Sequence, residues 1–426
     1  MASPRLARRC AGVIVKRLPE LKLHLVADPR KARGKRWRLQ PLLRALLTGV
    51  ISGCKGLGQV ERLTGEFTAP VRHLLGVMRR VPDTTMRDLL LKLDVEQPRA
   101  ALHRLVRRAR ARGALPLDGL PWGVLSMDGK VVATNTWDGE GRIAQVQHRA
   151  DATAFGLVRT VTSCLVSSAA RPCVDMHIIP PERNEGSVFG DAFRRLVSAY
   201  GDLFRVIIYD SAANSRANAQ LVLDHDRDYI FSVKAEQPSL LAECERHLGR
   251  KRATTALHTT TNVNGGKVVT RTVWVAHLVA PYLDYPGLRS AIRIRTETVD
   301  KTTGKTSCDD RYYASSLAND ALTGPQWVTV IRRRWAVENE CHNTFDRILR
   351  EDDRPWVRAP EAMVNVMLLR RIAYTILALH RVQRTTPTGD RPSWTGLLHS
   401  FYVALITATA TTIAGLRLPT EPQAVL

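Results

Sequence analysis

Two aspartates directly follow short apolar runs of the kind that form buried strands. Asp128 follows Val124–Met127, and Asp210 follows Val206–Tyr209. Taken singly, each aspartate is as readily explained as a helix cap or a turn residue. Together they predict two carboxylates at strand positions of one sheet.

A third acid, Glu338, lies in an amphipathic segment beside Trp335. A carboxylate on a largely apolar face is costly to bury without a partner. Arg334, four residues earlier, offers an ordinary ion pair along a helix. A metal shared with the two aspartates is the other interpretation.

Three carboxylates without histidine or cysteine ligands suit hard ions such as Mg²⁺, which prefer oxygen ligands. Two such ions stabilise both the attacking and the leaving oxygen of a phosphoryl displacement. We therefore predict that Asp128, Asp210 and Glu338 are both catalytic and metal-binding, with two Mg²⁺ ions and Mn²⁺ as a substitute. Phosphodiester chemistry is favoured, since the sequence has no P-loop, dinucleotide fingerprint or Gly-x-Ser-x-Gly motif. No nucleotide cofactor is expected.

The chain is strongly basic, with 63 Lys and Arg against 40 Asp and Glu and a formal net charge of +23 over 426 residues. The positive residues occur in separate blocks, at Arg30–Arg38, Arg104–Arg112 and Arg332–Arg334. Any single block is also explained by an arginine-rich solvated face. The total predicts a long polyanionic partner, namely double-stranded DNA.

The cysteines, the N-terminal residues and two apolar segments indicate the cellular compartment of the protein. The seven cysteines form no CxxC pair and no zinc-spaced cluster, which indicates reduced, mostly buried thiols. Met1–Lys22 is interrupted by basic residues and does not resemble a signal peptide. Phe401–Leu416 is short, and Val364–His380 carries two arginines at its centre, so neither predicts a membrane span. We expect a cytoplasmic protein that associates with the nucleoid when bound to DNA.

The surrounding pattern predicts the elements that position these acids. Apolar residues recur at helical spacing before residue 112, and short β-rich runs alternate with helices from residue 122. The expected fold class is α/β, a mixed sheet flanked by helices, with a helical N-terminal domain and a β-rich insertion before Glu338. The predicted divisions are a basic arm at 1–37, a helical domain at 38–120, a first core part at 121–249, the insertion at 250–316, a final core part at 317–384 and a tail at 385–426.

Four stretches resemble insertion-sequence DDE transposases. The first comprises Ser126–Lys130 and Arg183–Glu185, and the second runs from Tyr209–Ser211 through Asp228–Ile230 to Val233–Pro238. The third is the returning strand Tyr312–Leu317, and the fourth is the signature helix at Arg334–Asn339 with its Trp-x-x-Glu-Asn pattern. The resemblance implies an RNase H-like catalytic domain. It also implies a bacterial enzyme that hydrolyses phosphodiester bonds at the transposon ends and transfers the freed strand to target DNA.

The resemblance further implies a homodimer on paired DNA ends and a role for the helical segment Thr85–Arg108 in end binding, although a purely structural helical domain fits that segment equally. Two positions depart from the family pattern, because Ile331 and Phe345 stand where Tyr and Lys are common. A DNA nuclease of the same fold without strand transfer, and an inactive DNA-binding relic, are the alternatives.

Several polar residues are expected near the acids. The predicted DNA contacts are Lys130, Lys234, Gln237, Arg334, Arg347 and Arg350, with surface solvation as the competing explanation for Lys130, Lys234 and Gln237. Trp335, Asn339 and His342 are possible supporting residues. For His342, an ordinary packed histidine is the commoner outcome.

Overall fold

A computed structural model describes residues 3–31, 35–134, 143–148, 150–151, 154–278, 281–386 and 389–418. The helices are α1 (Pro4–Arg17), α2 (Leu39–Ile51), α3 (Leu57–Glu66), α4 (Ala69–Leu75), α5 (Asp83–Lys92), α6 (Glu96–Ala111), α7 (Glu185–Tyr200), α8 (Arg216–Leu223), α9 (Pro238–Leu248), α10 (Gly324–Arg333), α11 (Pro360–Val382) and α12 (Trp394–Thr407). The strands are β1 (Val124–Thr134), β2 (Ala144–His148), β3 (Ala154–Leu165), β4 (Cys173–Ile178), β5 (Val206–Tyr209), β6 (Asp228–Val233), β7 (His258–Asn264), β8 (Lys267–His277), β9 (Ser290–Asp300) and β10 (Thr306–Ser315).

All ten of these strands belong to one mixed sheet. Its order is β2-β3-β1-β5-β6-β10-β9-β8-β7, and β4 also pairs with β3. β1, β5 and β6 run parallel, whereas β3 and β4 run antiparallel to their partners. Parallel neighbours require crossover connections, and α7 and α8 lie in these connections. The predicted mixed sheet flanked by helices is confirmed.

The predicted β-rich insertion is continuous with this sheet, because β10 returns to pair with β6 from Tyr312↔Val233 to Ser315↔Ile230. The inner half of β9 is buried, and its outer half is progressively exposed. In β10 the first six residues are exposed and the last four are buried. The insertion therefore extends the core sheet at its inner end and projects outward at the other.

Helix α11 lies at the centre of the helical layer and packs against α2, α5, α6 and β4. By length and composition it is apolar enough to cross a membrane, but its apolar window is entirely buried within the protein. Its two central cations, Arg370 and Arg371, are buried beside the fully buried Glu351. The features of α11 are therefore those of a core helix.

The first and last described segments pack together. Within the predicted basic arm, α1 buries one face, including Cys10 and Ile14, and packs against α12. The Arg8 guanidinium donates to the carbonyls of Thr412 and Ala414, at 3.1 and 2.9 Å. The described part of the predicted basic arm therefore includes a helix that is packed against the rest of the protein. Residues 1–2, 32–34, 387–388 and 419–426 of the predicted arm and tail lie outside the described residues.

The segment that carries Glu338 is less regular than the signature helix that the resemblance implies at Arg334–Asn339. After α10, the chain forms two π-helical stretches, Val337–His342 and Thr344–Ile348. Short π-helical stretches are uncommon and recur at functional sites. Arg350, just beyond them, has a left-handed φ of 57° and ends the helical run.

Candidate active site

Parallel pairing of β1 and β5 places the two aspartates next to each other. The last printed pair in their register is Ser126↔Ile208, and Asp128 and Asp210 each lie two residues further along. Asp210 also caps the short turn that follows, since its Oδ1 accepts from the Ala212 N–H at 2.9 Å. The predicted strand position is confirmed for Asp128, which lies within β1, whereas Asp210 lies one residue beyond the end of the neighbouring strand β5.

A third carboxylate, Glu185, approaches these aspartates from the first turn of α7. Tyr209 donates its hydroxyl to Glu185 Oε1 at 2.5 Å, and the backbone N–H of Gly129 also donates to this carboxylate. Burial raises the pKa of Glu185, and the charges of Asp210 and Asp128 raise it further, while the Tyr209 hydrogen bond opposes them. The electrostatics of the site therefore couple three carboxylates.

Two local features hold Glu185 in this position. Asn184 caps α7, accepting from the Ser187 N–H at 2.9 Å, and thereby fixes Glu185 in the first turn. Gly129 allows the close approach, because a Cβ at this position would lie 2.3 Å from Glu185 Oε2. Glu185 is not among the residues predicted to form the site. Its only signal in the sequence is its place in the stretch Arg183–Glu185, which resembles the transposase family.

His342 brings the π-helical segment against β1. Its Nδ1 lies 3.4 Å from Asp128 Oδ2, and the residue is only 7% exposed. Its Nε2 is buried and has no hydrogen-bond partner among the described residues. An unpaired polar atom in this position is costly. The ring therefore contacts the site through Nδ1, and its Nε2 has no hydrogen-bond partner among the described residues.

Glu338, one turn before His342, is exposed and forms no ion pair or side-chain hydrogen bond with the described residues. The ion pair between Arg334 and Glu338 considered from the sequence is not formed, and neither is the burial expected for Glu338. Within the described ranges, no group of three His, Cys, Asp or Glu side chains is arranged to hold a metal ion. Asp128 and Asp210 are brought together with Glu185, whereas no contact joins Glu338 to them in the described part of the chain.

Arg334 and Trp335 form the start of this segment. The Ser126 hydroxyl donates to the Arg334 carbonyl at 3.0 Å and so ties the segment to β1. The Arg334 and Arg311 guanidinium carbons lie 4.3 and 4.7 Å from the Trp335 ring centroid. Trp335 and the exposed Asn339 line a cavity of about 330 Å³ with Arg332 and other residues. A cation-lined recess therefore borders the segment that carries Glu338.

Lys130 is not on the open surface where a phosphate contact was expected. Its side chain is 5% exposed, and its Nζ lies 2.5 Å from Asp346 Oδ1 and 3.0 Å from Asp352 Oδ1. Asp346 and Asp352 are therefore the ion-pair partners of Lys130. The neighbouring acid Glu351 is buried, and its Oε2 lies 2.5 Å from Arg371 Nη1.

The remaining predicted DNA contacts divide between structural and exposed residues. Gln237 accepts from the backbone N–H of Lys234 at 3.3 Å and donates to the carbonyls of Ser211 and Asn214, which supports the turn after Asp210. By contrast, the predicted contacts Lys234, Arg347 and Arg350 are exposed. These three cations are available to a polyanion.

Comparison with known proteins gives one family match. Residues 21–106 match a family model described as DDE_Tnp_1-associated, which covers α2 to most of α6. The match supports a relationship to DDE transposases.

No curated protein matches the chain. Among solved structures, the cryo-EM structure of a piggyBac transposase synaptic complex with hairpin DNA matches 99% of this chain and 83% of that chain, with 12% sequence identity and a TM-score of 0.41.

Proposed function

We propose that this protein is a DDE-type DNA transposase that cuts phosphodiester bonds at the ends of its own insertion sequence and joins them to target DNA. The observation that carries the proposal is the adjacency of Asp128 and Asp210 on parallel strands, in a chain whose residues 21–106 match a transposase-associated family. The formal charge of +23 supports a DNA partner.

The catalytic core is proposed to be RNase H-like. Three antiparallel strands, β4, β3 and β1, are followed across the sheet by the parallel strands β5 and β6. This arrangement supports the fold implied by the resemblance and places one acid at each of two neighbouring strands.

Asp128, Asp210 and Glu338 are the proposed ligands of two Mg²⁺ ions, with Mn²⁺ as a substitute. The donor chemistry fits, because hard ions prefer carboxylate oxygens. His342, whose Nδ1 lies 3.4 Å from Asp128 Oδ2, adds a polar nitrogen beside these carboxylates. When bound, the ions stabilise charge on the attacking and leaving oxygens of a phosphoryl transfer. Glu338 must approach the two aspartates to complete this set.

The chain's own groups orient the DNA and the acids. Arg334, whose backbone is anchored to β1 by Ser126, is proposed to contact a phosphate near the cut. Lys234, Arg347 and Arg350 are proposed to hold the DNA backbone without reading its sequence. Gln237 acts through the turn after Asp210 and is a positioning residue. Synapsis of two ends is proposed to require a homodimer, acting in the bacterial cytoplasm on nucleoid DNA.

The test is Mg²⁺-dependent cleavage and joining of a labelled duplex that carries the genomic sequence flanking the gene. Wild type should cut and join, while Asp128→Asn, Asp210→Asn and Glu338→Gln should bind this DNA but lose cutting by at least about 100-fold. Glu340→Gln, which changes an acid two residues from Glu338, is the matched control and should cut.

Each remaining outcome contradicts part of the proposal. Cutting without any joined product indicates a nuclease, and binding by wild type without cutting indicates an inactive relic. Wild-type rates in Glu338→Gln would remove that residue from the site.

A further inference from the structure

Outside the acidic site, the described cavity with the greatest concentration of cations lies between α3 and the chain that follows the π-helical segment. Its volume is about 480 Å³, and its lining includes Lys55, Arg62, Arg350 and Arg354. Arg350 pairs with Asp353, whereas Arg62 and Arg354 form no ion pair in the described part of the chain. The cavity therefore carries uncompensated positive charge.

Lys55 is held in this cavity rather than free in solvent. Its Nζ donates to the Ile348 carbonyl at 2.5 Å, which joins the loop before α3 to the end of the π-helical segment. Partial burial lowers the pKa of Lys55, and the charges of Arg350 and Arg370 lower it further. Nearby cations thus repel one another, and a bound anion would relieve this repulsion.

The start of α3 adds hydrogen-bond donors to the same wall. Gly56 is the N-cap and has no side chain with which to satisfy the first N–H groups of this ten-residue helix. A Cβ at Gly58 would meet nothing within 4 Å, so the approach to the first turn is open. Exposed helical N–H groups beside arginines form a favourable environment for a phosphate.

We propose that this cavity binds a phosphodiester group of the DNA backbone, at a site distinct from Asp128 and Asp210. The inference rests on the proposed function and assigns a DNA contact to the region that matches the transposase-associated family. His342 contacts Asp128, and Arg350 follows it by eight residues. The same π-helical segment therefore connects the contact with Asp128 to the wall of the cavity that carries Arg350.

The experiment measures DNA affinity against salt for Arg62→Gln/Arg354→Gln, using the labelled flanking duplex and fluorescence anisotropy. Each phosphate contact contributes about 0.9 to the slope of log K against log salt, so loss of this one contact should lower the slope by about 1 and raise Kd roughly tenfold. The matched control is Arg5→Gln/Arg417→Gln, which removes the same charge from two exposed arginines outside the cavity. This control should retain most of the wild-type affinity and slope.

Further arms separate the possible outcomes. Arg62→Lys/Arg354→Lys should restore the slope, and thermal unfolding verifies that each variant is folded. An unchanged slope in the Gln variant, or an equal loss in the control, overturns the proposal. A third result would be that inorganic phosphate raises the melting temperature of wild type but not of the Gln variant while both proteins bind DNA equally. That result would assign the cavity to a free anion and overturn the DNA contact. Cleavage of the same duplex by wild type tests the proposed function independently of these results.

Discussion

At the scale of single residues, the crowding of carboxylates at Asp128 and Asp210 has an energetic consequence. Glu185 is partly buried, and the negative charges of both aspartates raise its pKa. Like charges in a partly desolvated site destabilise the fold unless a cation compensates them. Loss of the Glu185 charge should therefore raise the stability of the fold and lower the proposed activity.

We predict that Glu185→Gln raises the melting temperature in the absence of metal, by roughly 1–3 °C. Gln retains an acceptor for the Tyr209 hydroxyl but removes one negative charge from the cluster. The same change should lower Mg²⁺-dependent cutting, since Glu185 contacts the strand that carries Asp128. Differential scanning fluorimetry and the cleavage assay measure the two effects. Glu182→Gln, an exposed acid in the same loop, should alter neither, and a lower melting temperature for Glu185→Gln would contradict the repulsion.

Lys130 should contribute more to folding than to DNA binding. Removing one member of a buried ion cluster leaves its partners without compensation, and here both partners retain solvent contact. Lys130→Met should reduce the free energy of unfolding by about 1–3 kcal/mol, as measured by urea denaturation. Asp346→Leu added to Lys130→Met should restore part of the loss.

The exposed Lys234→Met is the comparison and should be nearly neutral in stability. If Lys130→Met instead unfolded like wild type and weakened DNA binding, the original interpretation of Lys130 as a phosphate contact would hold.

At the scale of elements, the packing of α11 against α12 contains a titratable contact. His380 is 5% exposed and its ring lies 5.9 Å from the Phe401 ring. Burial, together with the charges of Arg384, Arg9 and Arg17, lowers the pKa of His380 to about 4. His380 is therefore neutral in the folded protein at neutral pH.

This depressed pKa predicts acid sensitivity. Because the folded-state pKa lies below the ordinary value, the stability is present above about pH 6.5 and is lost as pH falls towards 4. At pH 5, His380 should cost about 2 kcal/mol relative to neutral pH. His380→Gln should reduce the loss of melting temperature between pH 7 and pH 5. The exposed His399→Gln should not, and equal acid sensitivity in both variants would exclude His380 as the cause.

The elements also show what the sequence can and cannot predict. The apolar runs before Asp128 and Asp210 were sufficient to place both acids in one sheet, because buried parallel strands have a strong local signature. The partners of Lys130 lie more than two hundred residues away in sequence, so no local pattern indicated them. The π-helical turns around Glu338 were not predicted either, since helical periodicity does not distinguish them from an α-helix.

At the scale of the whole molecule, the insertion shares one sheet with the core rather than forming a separate unit. Its inner residues, such as Ala291 and Ile292, are as buried as Leu125 in β1, whereas Val299 is 38% exposed. Cooperative units generally follow such continuous buried contacts. The sequence predicted the β-rich character of this region but not its pairing with β6, because strand partners depend on tertiary register.

We therefore predict that hydrogen exchange protects the amides of Ala291 and Ile292 about as strongly as that of Leu125. The amides at the outer ends of β9 and β10 should exchange much faster. Mass spectrometry of peptides from the two halves of β9 provides an internal control within one strand. If the amides of β9 and β10 were weakly protected throughout while those of β1 were strongly protected, the insertion would open independently of the core.

Because the segment that carries Glu338 docks onto β1, the proposed site is completed late during synthesis of the chain. Ser126, Asp128 and Lys130 each contact a group that follows residue 333, and Glu338 follows Asp210 by 128 residues. At about 5–20 residues per second, the ribosome delivers Glu338 roughly ten seconds after Asp210. A nascent chain of the proposed transposase thus carries its first two acids while it still lacks the third. The proposed function then predicts that DNA beside the translating ribosome is not cut until that segment has emerged.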